Sequence, residues 1–290
     1  MILHSPSVVR ARAGLIATEQ GLCGLAAGLC LALGLTLAYA PNAPLSLIEP
    51  GLWCALVAGA LGLAVTVVGR VLEIGEAPRR TPILHAQFLP LAAGALLLTA
   101  GAGLSLATAG TDGQLSSPAR IWLWSAAAPS IAVLIALSLR SKAATQCDDA
   151  VSELSQPIGH ALLGGMAALL AIGLITGHIS ATNTYLVGAA VTALAAATIL
   201  ATSLCVRRAR SRLHAAQRDG GRFPLAEQAY RMAAIATVVG LLLPSVVVVA
   251  DLLAARLTLL VLATAALAVS NHALRYALVA CHLALPRDRV

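Results

Sequence analysis

Residues 13–40 read AGLIATEQGLCGLAAGLCLALGLTLAYA, twenty-eight positions with one charge, Glu19. At 1.5 Å per residue this run is about 42 Å long as a helix, more than the roughly 30 Å of hydrocarbon in a bilayer. In lipid every backbone N–H and C=O must find its partner inside the chain, and a helix does this within one segment. Comparable runs follow at 51–68, 88–109, 121–139, 158–178, 184–206, 233–253 and 258–285. The expected fold is therefore all-α, a single integral membrane domain of about eight transmembrane helices with no soluble domain. Its separators carry turn chemistry: Pro41-Asn42-Ala43-Pro44, Pro78, Thr111-Asp112-Gly113 with Pro118, Gln156-Pro157, Asn183, and Asp219-Gly220-Gly221 with Pro224. The least marked boundary lies between the last two runs, at 251–256.

Composition agrees. Hydrophobic residues are 59% and charged residues 11% of the 290, too little polar surface to coat a water-facing globule. Aromatics are 3%, so Ala, Leu, Gly and Val carry the apolar content, which suits closely packed helices. The formal charge of +7 does not point to nucleic acid, because the basic residues sit between apolar runs with no stacking aromatics among them. The six cysteines (Cys23, Cys30, Cys54, Cys147, Cys205, Cys281) form no CxxC and no metal-ligand spacing, and read as small hydrophobes. The first run also has signal-peptide features, with Arg10 and Arg12 before it and Ala38-Tyr39-Ala40 after it, but its apolar stretch is too long for that role.

The arginines set a direction. The N-terminus, the second, fourth and sixth loops and the C-terminus hold Arg10, Arg12, Arg70, Arg79, Arg80, Arg140, Lys142, Arg287, Arg289 and seven arginines from Arg207 to Arg231. The other loops hold Arg120 and Arg256, and Arg275 lies within the last run. This bias predicts a bacterial inner-membrane protein with both termini in the cytoplasm, and eight spans fit it where seven do not. The sixth loop, 207–231, reads as an orientation determinant touching anionic lipid, with a docking surface for a cytoplasmic partner as the sharper alternative.

Ionisable groups inside a span are costly and so mark candidate sites. They are Glu19 with Gln20 beside it, Arg70 and Glu73 closing the second run, Asp251 closing the seventh, and His272 and Arg275 in the eighth. Glu19 lies about two turns from Arg12 and reads first as half of a structural ion pair. Haem is not expected: His160 and His178 stand at opposite ends of one helix, and His272 and His282 are about 15 Å apart along another. Pairings of His85 with His160 or His282 need three dimensions to judge. No GxSxG, HExxH, GxxxxGK[ST] or paired intramembrane aspartate occurs, which weighs against a hydrolase, a zincin, an ATPase or an aspartyl protease. Pro129 and Pro244 interrupt their runs but do not match between two halves, unlike the repeats of many transporters. Gly24-Leu25-Ala26-Ala27-Gly28 is a GxxxG and reads as close helix packing.

Tyr230-Arg231 leads into a helix reaching Leu243-Pro244, and the last run reads Ser270-Asn271-His272-Ala273-Leu274-Arg275-Tyr276 and ends Leu285-Pro286. This pattern resembles the membrane-anchor subunit of the dimethyl sulfoxide reductase family, whose last helix carries Gly-Glu-Leu-x-Gly-Arg-Tyr. The resemblance implies an eight-helix anchor for an iron–sulfur subunit and a molybdopterin catalytic subunit, exchanging electrons with menaquinone or ubiquinone in anaerobic or sulfur-compound respiration. In that family a His-Leu-Gly-x-Pro motif ends the second helix and a Ser-x-Glu segment opens the third, both tied to quinol. Here Leu72-Glu73-Ile74-Gly75-Glu76-Ala77-Pro78 and His85-Ala86-Gln87 stand in those places, so Glu73 replaces the His and Gln87 the acid. The expected quinone pocket uses Glu73, His85 and Gln87, with Arg70 holding Glu73. The charge bias puts it on the cytoplasmic face, as in the sulfite-oxidising complexes of the family. A partner would dock on the basic second and sixth loops, joined by Asp148, Asp149 and Glu153. A small-solute transporter, with a polar mid-membrane cavity around His272 and Arg275, and a purely structural membrane protein remain open.

The topology makes a direct prediction. An alkaline phosphatase fusion after residue 113 should be active and one after residue 142 inactive; the reverse pattern overturns the orientation.

Overall fold

The computed structural model describes residues 6–76, 82–110, 115–145, 150–177, 184–218, 223–254 and 258–285. All regular structure among them is helical: α1 (Pro6–Tyr39), α2 (Leu45–Glu76), α3 (Pro82–Ala107), α4 (Ser117–Thr145), α5 (Ala150–Ile175), α6 (Thr184–Arg218), α7 (Pro224–Ile235), a π-helical segment (Ala236–Leu242), α8 (Leu243–Ala254) and α9 (Thr258–Ala284). The segment α7–π–α8 runs on without a break, so α1 to α6, this composite rod and α9 make the expected eight. Seven of the rods contain a described stretch long and apolar enough to cross a membrane. In α9, several side chains fall outside the described residues.

Most helices outrun their apolar stretches because helix continues past the hydrocarbon boundary, most clearly where α6 extends to Arg218. One expected separator is not one. Gln156-Pro157 lies inside α5: the proline removes one N–H donor and crowds the carbonyl one turn back, but the apolar residues beyond it continue the rod. Pro224, in contrast, occupies the first turn of α7, where the missing N–H has no helical acceptor to lose.

Glycine contacts show how neighbouring rods run. A Cβ on Gly51 would meet Leu33, one on Gly62 would meet Cys23, and one on Gly69 would meet Leu15, so α2 packs antiparallel to α1. The same test pairs Gly59 with Thr99 and Gly103 with Leu56 across α2 and α3, and Gly94 with Val133 and Gly101 with Ala126 across α3 and α4. Helix α1 is central, with buried residues from Val9 to Leu37. One apolar cluster joins it to α2, α3, α4 and α5. A second joins Ala13 and Ile16 to the far end of α6, to α7 and to the end of α9. A third ties Leu163 and Leu170 of α5 to Val191 of α6, Leu241 of the π segment and Leu267 of α9.

The closest approach is between α1 and α5. A Cβ on Gly28 would overlap the Ala161 carbonyl, and one on Gly165 would overlap the Gly28 backbone. The GxxxG of α1 is therefore a packing device, as its spacing suggested, and its partner on α5 is Gly165.

Outward-facing positions are apolar: Leu89 is 70%, Ile175 72% and Val269 70% exposed, as lipid contact requires. Trp53, Trp122 and Trp124 are exposed near the starts of α2 and α4, the end of the bundle where α1 finishes at Tyr39. Trp53 and Arg70 are seventeen residues apart on α2, about 26 Å, which sets an aromatic interface at one end and a basic one at the other. Hydroxyls within the rods fold back on their own helix, as Thr66 Oγ1 does on the Gly62 carbonyl at 2.9 Å and Ser130 Oγ on the Ala126 carbonyl at 2.8 Å.

Replacing Gly28 or Gly165 by Ala should destabilise the detergent-solubilised bundle by about 3 kcal/mol, the upper end of ordinary overpacking costs. Gly14→Ala, where a Cβ meets nothing within 4 Å, should be neutral or slightly stabilising in the same thermal melts.

Candidate functional site

Asn271 and Arg275 are four residues apart on α9 and so share a face. That face points into the bundle, and Arg275 is only 2% exposed. Its Nε donates to Asn271 Oδ1 at 2.9 Å, its Nη2 to the Pro157 carbonyl of α5 at 3.2 Å, and its Nη1 to Gln20 Oε1 of α1 at 3.5 Å. All three acceptors are uncharged oxygens, spread over three helices. Gly24 of α1 lies alongside: a Cβ there would make ordinary contacts, 3.8 Å from Arg275 Nη2 and 3.4 Å from the Ala161 Cβ.

A second buried polar contact lies on the next face of α5. His160, 3% exposed, faces α6, where its Nε2 is 3.0 Å from Thr202 Oγ1. One turn further round α9, His272 rests against Gly21, with its Nδ1 3.9 Å from the position a Cβ would take, and this histidine is exposed.

Between these groups is a cavity of about 220 Å³. Thr18, Gly21, Leu22 and Leu25 of α1 form one wall, and His160, Leu163 and Gly164 of α5 another. Leu267, Asn271 and His272 of α9 and Leu241 of the π segment complete it. The lining is mostly apolar, with His160, Asn271 and His272 as its main polar edge, and the exposed His272 stands at its mouth. Leu241 lies in the π segment, which ends just before Pro244, a residue whose ring crowds the Gly240 carbonyl one turn back. The helix widens there, and the Leu243 N–H donates to the Val238 carbonyl, five residues back.

The sequence candidates fall into two groups. Arg275 and His272 belong to this site, and Glu19, fully buried and engaged in an interaction of its own, lies one residue before Gln20. The expected quinone pocket falls largely elsewhere. Arg70 is half-buried on α2, Glu73 lies in α2 and His85 and Gln87 in α3, but the side chains of those three lie outside the described residues. Of the other histidines weighed as haem ligands, His178 lies outside the described residues, as does the side chain of His282. No cluster of three or more His, Cys, Asp or Glu occurs among the described residues.

Pro157 and Leu241 were not legible as site residues, and His160 was visible only as a possible haem ligand. Pro157 acts through its carbonyl, and the π turn has no signature beyond Pro244. Asn271 and Gln20 were visible as neighbours of ionisable residues, and the four-residue spacing of Asn271 and Arg275 was the usable signal. No family model matches the chain, and neither the curated proteins nor the solved structures contain a match.

Arg275→Met would leave the Asn271 and Gln20 side-chain oxygens without their donor at the junction of α1, α5 and α9. It should lower stability by about 2 kcal/mol or more, since each buried acceptor left unmade costs about 1–3 kcal/mol. Arg275→Lys, without the planar fork, should recover less than half of the loss in the same melts.

Proposed function

We propose that this chain is the membrane anchor of an oxidoreductase complex, exchanging electrons between the quinone pool and an iron–sulfur subunit that serves a molybdopterin catalytic subunit. The observation that carries this reading is the cavity between α1, α5, the π segment and α9, apolar along its walls and polar at one edge. Its volume of about 220 Å³ suits one substituted ring and not a large solute. Its mouth lies beside His272 on a bundle whose outer surface is apolar, so an isoprenoid tail could remain in lipid.

A bound quinol supplies two electrons and two protons. The polar edge offers the groups this needs. The Oδ1 of Asn271 is taken by Arg275, which leaves its amide N–H groups to donate to a ring oxygen. His272 at the mouth is placed to accept one proton and to release it outward before taking the second. The Arg275 cation, held on uncharged oxygens, stabilises negative charge developing on a ring oxygen nearby. The electrons leave toward the partner, for which the basic end of the bundle is the proposed docking side. That end is cytoplasmic if the arginine bias governs orientation.

A second reading, a small-solute transporter, draws support from the proline-linked π segment beside a cavity that includes His272. The leucine-lined walls favour the quinone. In membranes carrying the assembled complex, His272→Ala should slow quinol-coupled turnover about tenfold or more while the iron–sulfur protein still co-purifies. If Glu73→Gln stops turnover and His272→Ala does not, the quinone site lies at the ends of α2 and α3. If the chain purifies alone and drives solute uptake in vesicles, the anchor reading fails.

A further inference from the structure

The exposed face of α6 changes chemistry along its length. Ala193, Ala196, Ala197, Leu200 and Leu204 are exposed and follow one another at steps of one to four residues. Arg207, Arg210, His214 and Arg218 continue the same helical face and are also exposed. The opposite side stays packed well past the change: Cys205, Ala209 and Leu213 are buried against α1, α7 and α9. The helix therefore does not leave the bundle when its outer face turns basic. The apolar outer side gives way to its first arginine three residues after Leu204.

We propose that Arg207 and Arg210 form a lateral seat for the phosphate of an anionic phospholipid. Three residues separate them, about 4.5 Å along the axis, within a headgroup layer of roughly 5–8 Å on each side of the hydrocarbon. Arg218 lies about 16 Å beyond Arg207, outside that layer for a helix near the membrane normal. Among the described residues no carboxylate neutralises Arg207, Arg210 or Arg218; Glu227 is taken by Arg231 at 2.6 Å. Arg210 is also oriented, its Nε donating to His214 Nε2 at 3.3 Å, which leaves its terminal nitrogens for a phosphate. A protein capping the bundle would meet the tip of α6, whereas Arg207 and Arg210 face sideways above the lipid-exposed Leu200 and Leu204. The occupant is thus the lipid that already coats this face.

The test is native mass spectrometry of the full detergent-solubilised chain with phosphatidylglycerol, against phosphatidylcholine as the zwitterionic control. The parent chain should retain phosphatidylglycerol selectively. The R207Q/R210Q double variant should lose roughly fivefold in affinity for each arginine removed, about 25-fold in all, with phosphatidylcholine unchanged. R218Q should change retention less than twofold. The proposal is overturned if the double variant retains phosphatidylglycerol like the parent. It is equally overturned if R218Q loses as much as the double variant, which would place the contacts at the tip where a protein partner would sit, or if millimolar inorganic phosphate strips the lipid.

Discussion

A guanidinium buried among helices is the constraint from which this bundle can be understood. Withdrawing Arg275 from water is expensive, and its burial is tolerable only if nearly every donor finds an oxygen. Asn271 supplies one from its own helix, the Pro157 carbonyl one from α5 and Gln20 one from α1. Each of these bonds fixes the rotation of a helix as well as its distance. Helix α1 then has two obligations within eight residues, to present Gln20 to the arginine and Gly28 to α5, and both are met along one side of the helix.

The cavity follows from the same geometry. Gly28 lets α5 approach α1 closely, and the gap lies earlier along α1, beside Thr18, Gly21, Leu22 and Leu25. The π turn before Pro244 places Leu241 at the edge of the gap. Polar groups that brace the helices, Asn271 and His160, therefore also edge the space between them. Structure and candidate chemistry use the same residues here, so substitutions at the arginine are read through stability, and substitutions at the exposed His272 through turnover.

The two ends of the bundle differ in kind. Tryptophans at one end tolerate an interface because they combine apolar area with an N–H donor; arginines at the other hold charge at the lipid boundary. On α6 this boundary falls on a single continuous face, passing from Leu204 to Arg207 within one turn while the inner face stays packed.

Sequence alone determined the solvent, the fold class and the number of rods, because a run of twenty or more apolar residues has one stable form in lipid. It also marked Arg275, His272 and Glu19 as costly positions and the GxxxG as a crossing. It could not say what met there: Pro157 contributes a carbonyl that every residue possesses, Gly165 is one glycine among 24, and His160 pairs with Thr202 across forty-two residues of chain. Only the tertiary structure decided that Arg275 is solvated by three helices, and that a cavity opens beside it. Those outcomes depend on how far each rod is rotated and where two rods diverge, and apolar periodicity in a chain surrounded by lipid carries little information about either.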